Sequence, residues 1–148
     1  MISERIQKSM KKKYKGIDLF CGIGGFRLAM NSNQVECVFS SDNDKFAQQT
    51  YEANFHEVPT GDIKAVNAKD IPDFDMLTAG FPCQPFSYAG EKQGFSDEVR
   101  GTLFFDVCRI LEYHKPPMVF LENVKGLKSH DKGKTLQTVL DTLNASSR

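Results

Sequence analysis

The chain is 148 residues long, 40% hydrophobic and 26% charged, and its 19 basic and 19 acidic side chains cancel at neutral pH. A length of this order allows one domain with a real core, and the composition excludes a disordered tail. No apolar run approaches the roughly 18 residues that a membrane-spanning helix needs, and zero net charge gives no support to a strongly basic nucleic-acid-binding module.

In chain order, the start "MISERIQKSMKKKYKG" lacks the apolar stretch of a secretory signal, so a cytoplasmic location is expected. Its four cysteines, Cys21, Cys37, Cys83 and Cys108, show no paired spacing and are expected to be free thiols. The basic run Lys11–Lys15 reads as a solvated lead-in to the first strand or as a phosphate-contacting arm. "GIDLF" (Gly16–Phe20) is short, apolar and followed by glycines, which predicts a buried parallel strand, and "FRLAMN" opens a helix. "VECVFSS" (Val35–Ser41) predicts a second strand, and "DKFAQQTYEANF" a helix with Phe46, Tyr51 and Phe55 near helical spacing. "DMLTAG" (Asp75–Gly80) is strand-like, Thr102–His114 a one-sided helix, Pro117–Val124 a strand and Lys134–Ala145 a closing helix. Strand and helix alternating in this order predict an open, mostly parallel α/β sheet.

Such sheets bind ligands beyond the carboxyl ends of their strands. That edge should gather "FCGIGG", Asp42, "FPCQPFS" and Glu122–Asn123 into one cleft. Gly22, Gly24 and Gly25 permit a sharp turn and close approach to a ligand, although the spacing is not G-x-G-x-x-G and a plain strand-to-helix turn explains it equally well. Asp42, about 20 residues after the glycines, stands where a nucleoside ribose finds acceptors, so an adenosine-containing cofactor is expected. Asp62 could accept from an adenine amino group or simply cap a helix. Cys83, where strand gives way to loop, is a small core hydrophobe or a nucleophile. Glu122 ends an apolar strand as the partner of a buried cation or as a proton-donating carboxyl. Together they suggest a thiol adding to an electrophilic ring carbon while a carboxyl group serves a ring nitrogen.

"DLFCGIGGFRLAM", "GFPCQPFS" and "FLENVKGL" resemble, in this order, the first, fourth and sixth motifs of the cytosine-5 DNA methyltransferases of bacterial restriction-modification systems, of the HhaI type. "GDIKAV" and "RGTLFFDVCRIL" resemble the third and fifth. The resemblance implies a Rossmann-like S-adenosylmethionine-dependent methyltransferase fold, present as the first part of the catalytic domain: residues 1–14 a basic lead-in, 15–148 the cofactor-binding portion, with the target-recognition domain and C-terminal motifs expected to be absent. It implies Cys83 as the nucleophile toward cytosine C6, Glu122 as its N3 partner, Asn123 as support for the Pro82–Cys83 backbone, and Gln84 and Ser87 as contacts to the DNA backbone. For S-adenosylmethionine it implies Phe20, Gly22, Ile23, Gly24, Asp42, Asn43, Asp62, Ile63, Pro82 and Leu103. Asn43 stands where the family often has a large aromatic residue, so adenine stacking should be weaker.

The implied partners are double-stranded DNA, with the target base flipped out of the duplex, and either a complementary polypeptide carrying the missing motifs or a second copy of the chain. No membrane and no metal are expected. A tRNA cytosine-5 methyltransferase, whose Pro-Cys-Gln motif is closely similar, a non-catalytic nucleotide-binding module and a subunit of a split enzyme are the alternatives. An NAD-dependent oxidoreductase explains neither Pro-Cys-Gln nor Glu-Asn-Val.

Overall fold

The computed structural model describes residues 14–82 and 103–146, so Cys83, Gln84 and Ser87 lie outside the described residues. Its regular elements are β1 (Tyr14–Leu19), α1 (Gly25–Ser32), β2 (Val35–Ser41), α2 (Lys45–Phe55), β3 (Met76–Gly80), α3 (Leu103–His114), β4 (Met118–Glu122) and α4 (Lys134–Ser146). The expected alternation is present, with shifted ends that have local causes. Tyr14 and Lys15 belong to β1 rather than to a lead-in: they pair with Val35 and Glu36, and the Lys15 amide donates to the Asp75 carboxylate at 2.8 Å. Phe20 leaves the strand because its φ is 55°, a left-handed conformation. Asp44 stands before α2 and caps it, accepting from the amides of Phe46 and Ala47. β4 is shorter than the apolar run, ending at Glu122.

All strand pairs are parallel, in the order β2-β1-β3-β4. The chain passes from β1 outward to β2 and then returns to the other side of β1 for β3. The winding therefore reverses between β1 and β3, and the carboxyl ends of those strands form the crevice where such sheets take ligands.

Alternation along β1 divides its side chains between two faces. Ile17 and Leu19, with Leu77 and Ala79 of β3, pack against Val107, Ile110 and Leu111 of α3 and against Ile63, Ile71 and Phe74. Phe81, Phe104, Cys108 and Val139 extend this core to α4. Met30, Val35 and Cys37 form a smaller cluster under α1. At Gly16 a methyl group would lie 2.9 Å from Val35 and 3.0 Å from the Met30 sulfur, so the missing side chain is what lets α1 approach. The outer strand is poorly covered: Met118, Val119 and Phe120 are 40%, 43% and 60% exposed, although parallel strands are usually buried on both faces. No helix among the described residues is long and apolar enough to cross a membrane.

Asp18, in the middle of β1, is fully buried. The Thr78 hydroxyl donates to its Oδ1 at 2.8 Å, and Oδ2 finds no hydrogen-bond partner among the described residues. Burial, partly offset by Thr78 and by the Arg27 charge, pushes its pKa up from 3.8 to about 6. Between those values the folded chain holds a proton that the unfolded chain has released, so stability falls as pH rises through this window. The displacement from 3.8 to about 6 corresponds to roughly 3 kcal/mol. Asp18→Asn, which keeps the shape and cannot ionise, is expected to gain about that much relative to the unaltered chain between pH 4 and pH 7. Denaturant titrations at both pH values measure it, and parallel curves would remove the buried charge as the cause.

Candidate active site

Three backbone devices bring the acidic residues to the switch point. The left-handed turn at Phe20 and Gly22 (φ 53°) lifts the chain off β1, and the Cys21 amide donates to the Ser41 carbonyl at 3.0 Å. The Gly22 amide then donates to Asp42 Oδ2 at 2.8 Å, while Asp42 Oδ1 accepts from the Asp44 amide at 2.9 Å. Thr60 pairs with Ser41 as an isolated parallel bridge, which carries Gly61 and Asp62 alongside the end of β2. Asp62 caps the short turn Ile63–Ala65 by accepting from the Lys64 amide at 3.0 Å, and Arg109 of α3 donates to the Ile63 carbonyl at 2.6 Å.

The result is a cleft of about 220 Å3, its open mouth included, lined by Phe20, Ser41, Asp42, Asn43, Gly61, Asp62, Ile63 and Leu103. Six residues singled out in the sequence therefore share one wall: Phe20, Asp42, Asn43, Asp62, Ile63 and Leu103. Gly22 is bonded to Asp42 behind it. Ile23 is 61% exposed on the turn into α1 and is not part of this lining. Gly24 serves packing: its φ is 96°, and a methyl group there would collide with the Phe55 ring. The helix-cap alternative for Asp62 and its place in the cleft hold together, because only Oδ1 is engaged by the cap.

At the neighbouring strand ends, Glu122 pairs in register with Gly80, and its Oε2 lies over Gly80, 3.2 Å from where a Cβ would stand. Glu122 is exposed, and it forms no ion pair with a cation among the described residues. Asn123 Nδ2 donates to the Phe81 carbonyl at 2.7 Å, one peptide ahead of the Pro82–Cys83 link expected from the sequence. Pro82 is exposed at the carboxyl end of β3. Among the described residues no group of three or more His, Cys, Asp or Glu side chains could hold a metal ion.

The sequence reading missed Arg27. Its guanidinium is buried in α1, donates twice to the Glu57 carboxylate at 2.7 and 2.9 Å and once to the Tyr51 hydroxyl at 3.2 Å, and lies 5.4 Å from the centre of the Phe55 ring. This clamp ties the helix that follows the glycine turn to the end of α2, and the Glu57 carboxylate pushes the guanidinium pKa up. The available signal was an arginine on the otherwise apolar side of a helix. Cys21 and Cys37 are buried thiols whose pKa values burial raises, so they are inert core residues.

An open parallel sheet with an acidic cleft at its switch point is the arrangement in which α/β domains of this kind take nucleotide ligands. The sequence pattern of the C-5 cytosine-specific DNA methylases matches residues 14–146, and the chain belongs to that family. It is 59% identical over 128 residues to the type II methyltransferase M.HhaI of Haemophilus parahaemolyticus, covering 86% of this chain and 39% of that protein. To M.HpaII of Haemophilus parainfluenzae it is 57% identical over 137 residues, 91% of this chain and 38% of that one. The crystal structure of the S. pombe Dnmt2 methyltransferase superposes with a TM-score of 0.65 at 25% identity, covering 87% of this chain and 42% of that chain. The fold is thus Rossmann-like and of the methyltransferase type, and the chain spans about two-fifths of the length of the relatives it matches.

Proposed function

We propose that this chain contributes the cofactor-binding and nucleophile-bearing part of an enzyme that methylates C5 of cytosine in DNA, as part of a restriction-modification system. The observation that carries this reading is the convergence of Phe20, Asp42, Asn43, Asp62, Ile63 and Leu103 on one cleft, at the strand-end edge that also bears Glu122 and the tethered Phe81–Pro82 backbone. The donor set suits S-adenosylmethionine. Asp42 and Asp62 each keep acceptor capacity for ribose hydroxyls and an exocyclic amine, apolar walls at Phe20, Ile63 and Leu103 suit a purine, and the carboxylates suit a cationic ligand. The cofactor supplies the methyl group from a sulfonium. Ile23, Gly24 and Pro82 complete its surroundings in this reading.

The remaining chemistry belongs to the chain. Cytosine is a poor nucleophile at C5, so the Cys83 thiolate forms a bond to C6 while Glu122 protonates or hydrogen-bonds N3, which pushes electron density onto C5. After methyl transfer a base takes the C5 proton, the S–C6 bond breaks and the thiolate departs. Asn123 holds the Phe81 carbonyl, which fixes the direction in which Pro82 delivers Cys83. Gln84 and Ser87 contact the DNA backbone around a base turned out of the duplex. Residues carried by the longer relatives, on the same chain or on a complementary polypeptide, hold the base and read its sequence context.

Asp42→Ala is expected to weaken S-adenosylmethionine binding by about 1–3 kcal/mol, the usual cost of a lost charge-assisted hydrogen bond. Calorimetry measures it, and unchanged affinity would leave Asp42 as a turn residue whose carboxylate serves the Gly22 and Asp44 amides. Product analysis after incubation with duplex DNA and with tRNA decides the polymer. 5-Methylcytosine in tRNA alone would replace the DNA reading by the tRNA one.

A further inference from the structure

We infer that the segment Lys125–Lys134, which leaves the carboxyl end of β4, is a contact surface for the phosphate backbone of DNA; this rests on the DNA-methylating reading above and assigns part of the substrate's docking surface. The segment reads "KGLKSHDKGK", four lysines against one acid, in a chain whose total charge is zero. Lys125, Lys128, Lys132 and Lys134 are all exposed, and none forms an ion pair with an acid among the described residues. Four exposed lysines with a single acid among them make this segment positive within a chain of zero net charge, which favours contact with an external polyanion.

The local fold holds them in place. Lys125–Lys128 is a 3-10 turn, in which side chains three apart eclipse, so Lys125 and Lys128 stand on one side while Leu127 is buried beneath them. The Leu127 and Ser129 amides donate back to Val124 and Gly126 at 3.0 and 3.1 Å. Asp131 (φ 45°), Lys132 (φ 55°) and Gly133 (φ 88°) are then left-handed in succession, a conformation that residues other than glycine rarely adopt. That reversal is latched by His130 Nδ1 and the buried Thr135 hydroxyl at 2.6 Å. The reversal leads directly into the 13-residue α4, and the amino end of a helix favours anions.

Charge is thereby divided along the strand-end edge. The cleft at the ends of β1 and β2 carries Asp42 and Asp62, and Glu122 ends β4 on the far side of β3; all three repel phosphate, and the lysine segment begins three residues beyond Glu122. A strand whose base reaches the acidic cleft needs cations beside it to offset that repulsion, and this segment supplies them.

The test uses the 148-residue chain, a fluorescent 20-base-pair duplex and anisotropy titrations over a series of salt concentrations. Replacing the four lysines by alanine (K125A, K128A, K132A, K134A) should lower the slope of log K against log salt by up to roughly 0.9 per lysine, with duplex affinity falling about tenfold or more at low salt. Melting and S-adenosylmethionine affinity should stay unchanged, as should duplex binding in K69A, which removes an exposed lysine in the turn before β3. An unchanged slope in the fourfold variant, an equal loss in the K69A control, or no duplex binding by the unaltered chain at low salt would each overturn the proposal. Tighter, more lysine-dependent binding to an RNA hairpin than to the duplex would overturn the assignment to DNA. None of these readouts depends on Cys83, so they fail or succeed separately from the catalytic reading.

Discussion

Replacing Cys83 by serine is expected to abolish covalent trapping on DNA containing 5-fluorocytosine, tested in the presence of the polypeptide that the longer relatives carry beyond this stretch. The enzyme releases an ordinary base by removing the C5 proton and expelling the thiolate. Fluorine at C5 cannot leave as a proton, so the S–C6 bond persists and protein and DNA migrate together under denaturing conditions. Serine is nearly isosteric, but its hydroxyl is a far weaker nucleophile at neutral pH, so the adduct should drop from near-stoichiometric to undetectable. Cys21, Cys37 and Cys108 are buried and cannot substitute for it. An undiminished adduct in Cys83→Ser would assign the covalent step to another residue. Glu122→Gln should retain the thiol yet slow trapping, because an amide cannot deliver a proton to N3.

The second large effect concerns the 148-residue polypeptide by itself, which is expected to self-associate and to methylate DNA little, with activity restored by the remainder of a relative's length. The outer strand supplies the physical reason. Met118, Val119 and Phe120 on β4 are exposed, and Phe120 joins Phe26, Ala29, Met30, Val35 and Met76 around an apolar groove beside α1. Apolar surface of this kind drives association unless it is covered. This surface runs from α1 across Met76 and Thr78 of β3 to β4, the outermost strand of the described sheet. Without further residues to hold a flipped cytosine, the contribution of positioning, which reaches roughly 7–11 kcal/mol in favourable cases, is largely lost. Sedimentation together with methyl-transfer assays, with and without the added polypeptide, measures both effects. Robust, sequence-specific methylation by a monomer of this chain would overturn the expectation.

Much of the scaffold was legible because its signals are local. Short apolar runs alternating with amphipathic ones predicted each described strand and α-helix to within a few residues, but not the four short 3-10 turns, because burial on a parallel sheet imposes apolar strands and one-sided helices. The errors fell at ends. Phe20 reads as one more apolar strand residue, yet its φ of 55° makes it the first residue of the turn, and no propensity announces a phenylalanine in that conformation. Asp44 reads as part of a helix and is instead its cap.

The sequence by itself determined the α/β alternation, the membership signalled by Pro-Cys-Gln and Glu-Asn-Val, and which acidic residues stand at strand ends. The tertiary structure alone decided how those residues are used. Strand order brings Asp42, Asp62 and Leu103, far apart along the chain, to one cleft. It fixed Asp18 as a fully buried carboxyl with one oxygen unpartnered among the described residues, Arg27 as a clamp on Glu57, and Asn123 as the tether of the Phe81 carbonyl. Burial and hydrogen-bond partners are properties of residues distant in sequence, set by which strands are neighbours, whereas hydrophobic periodicity reports only on the segment in which it is read.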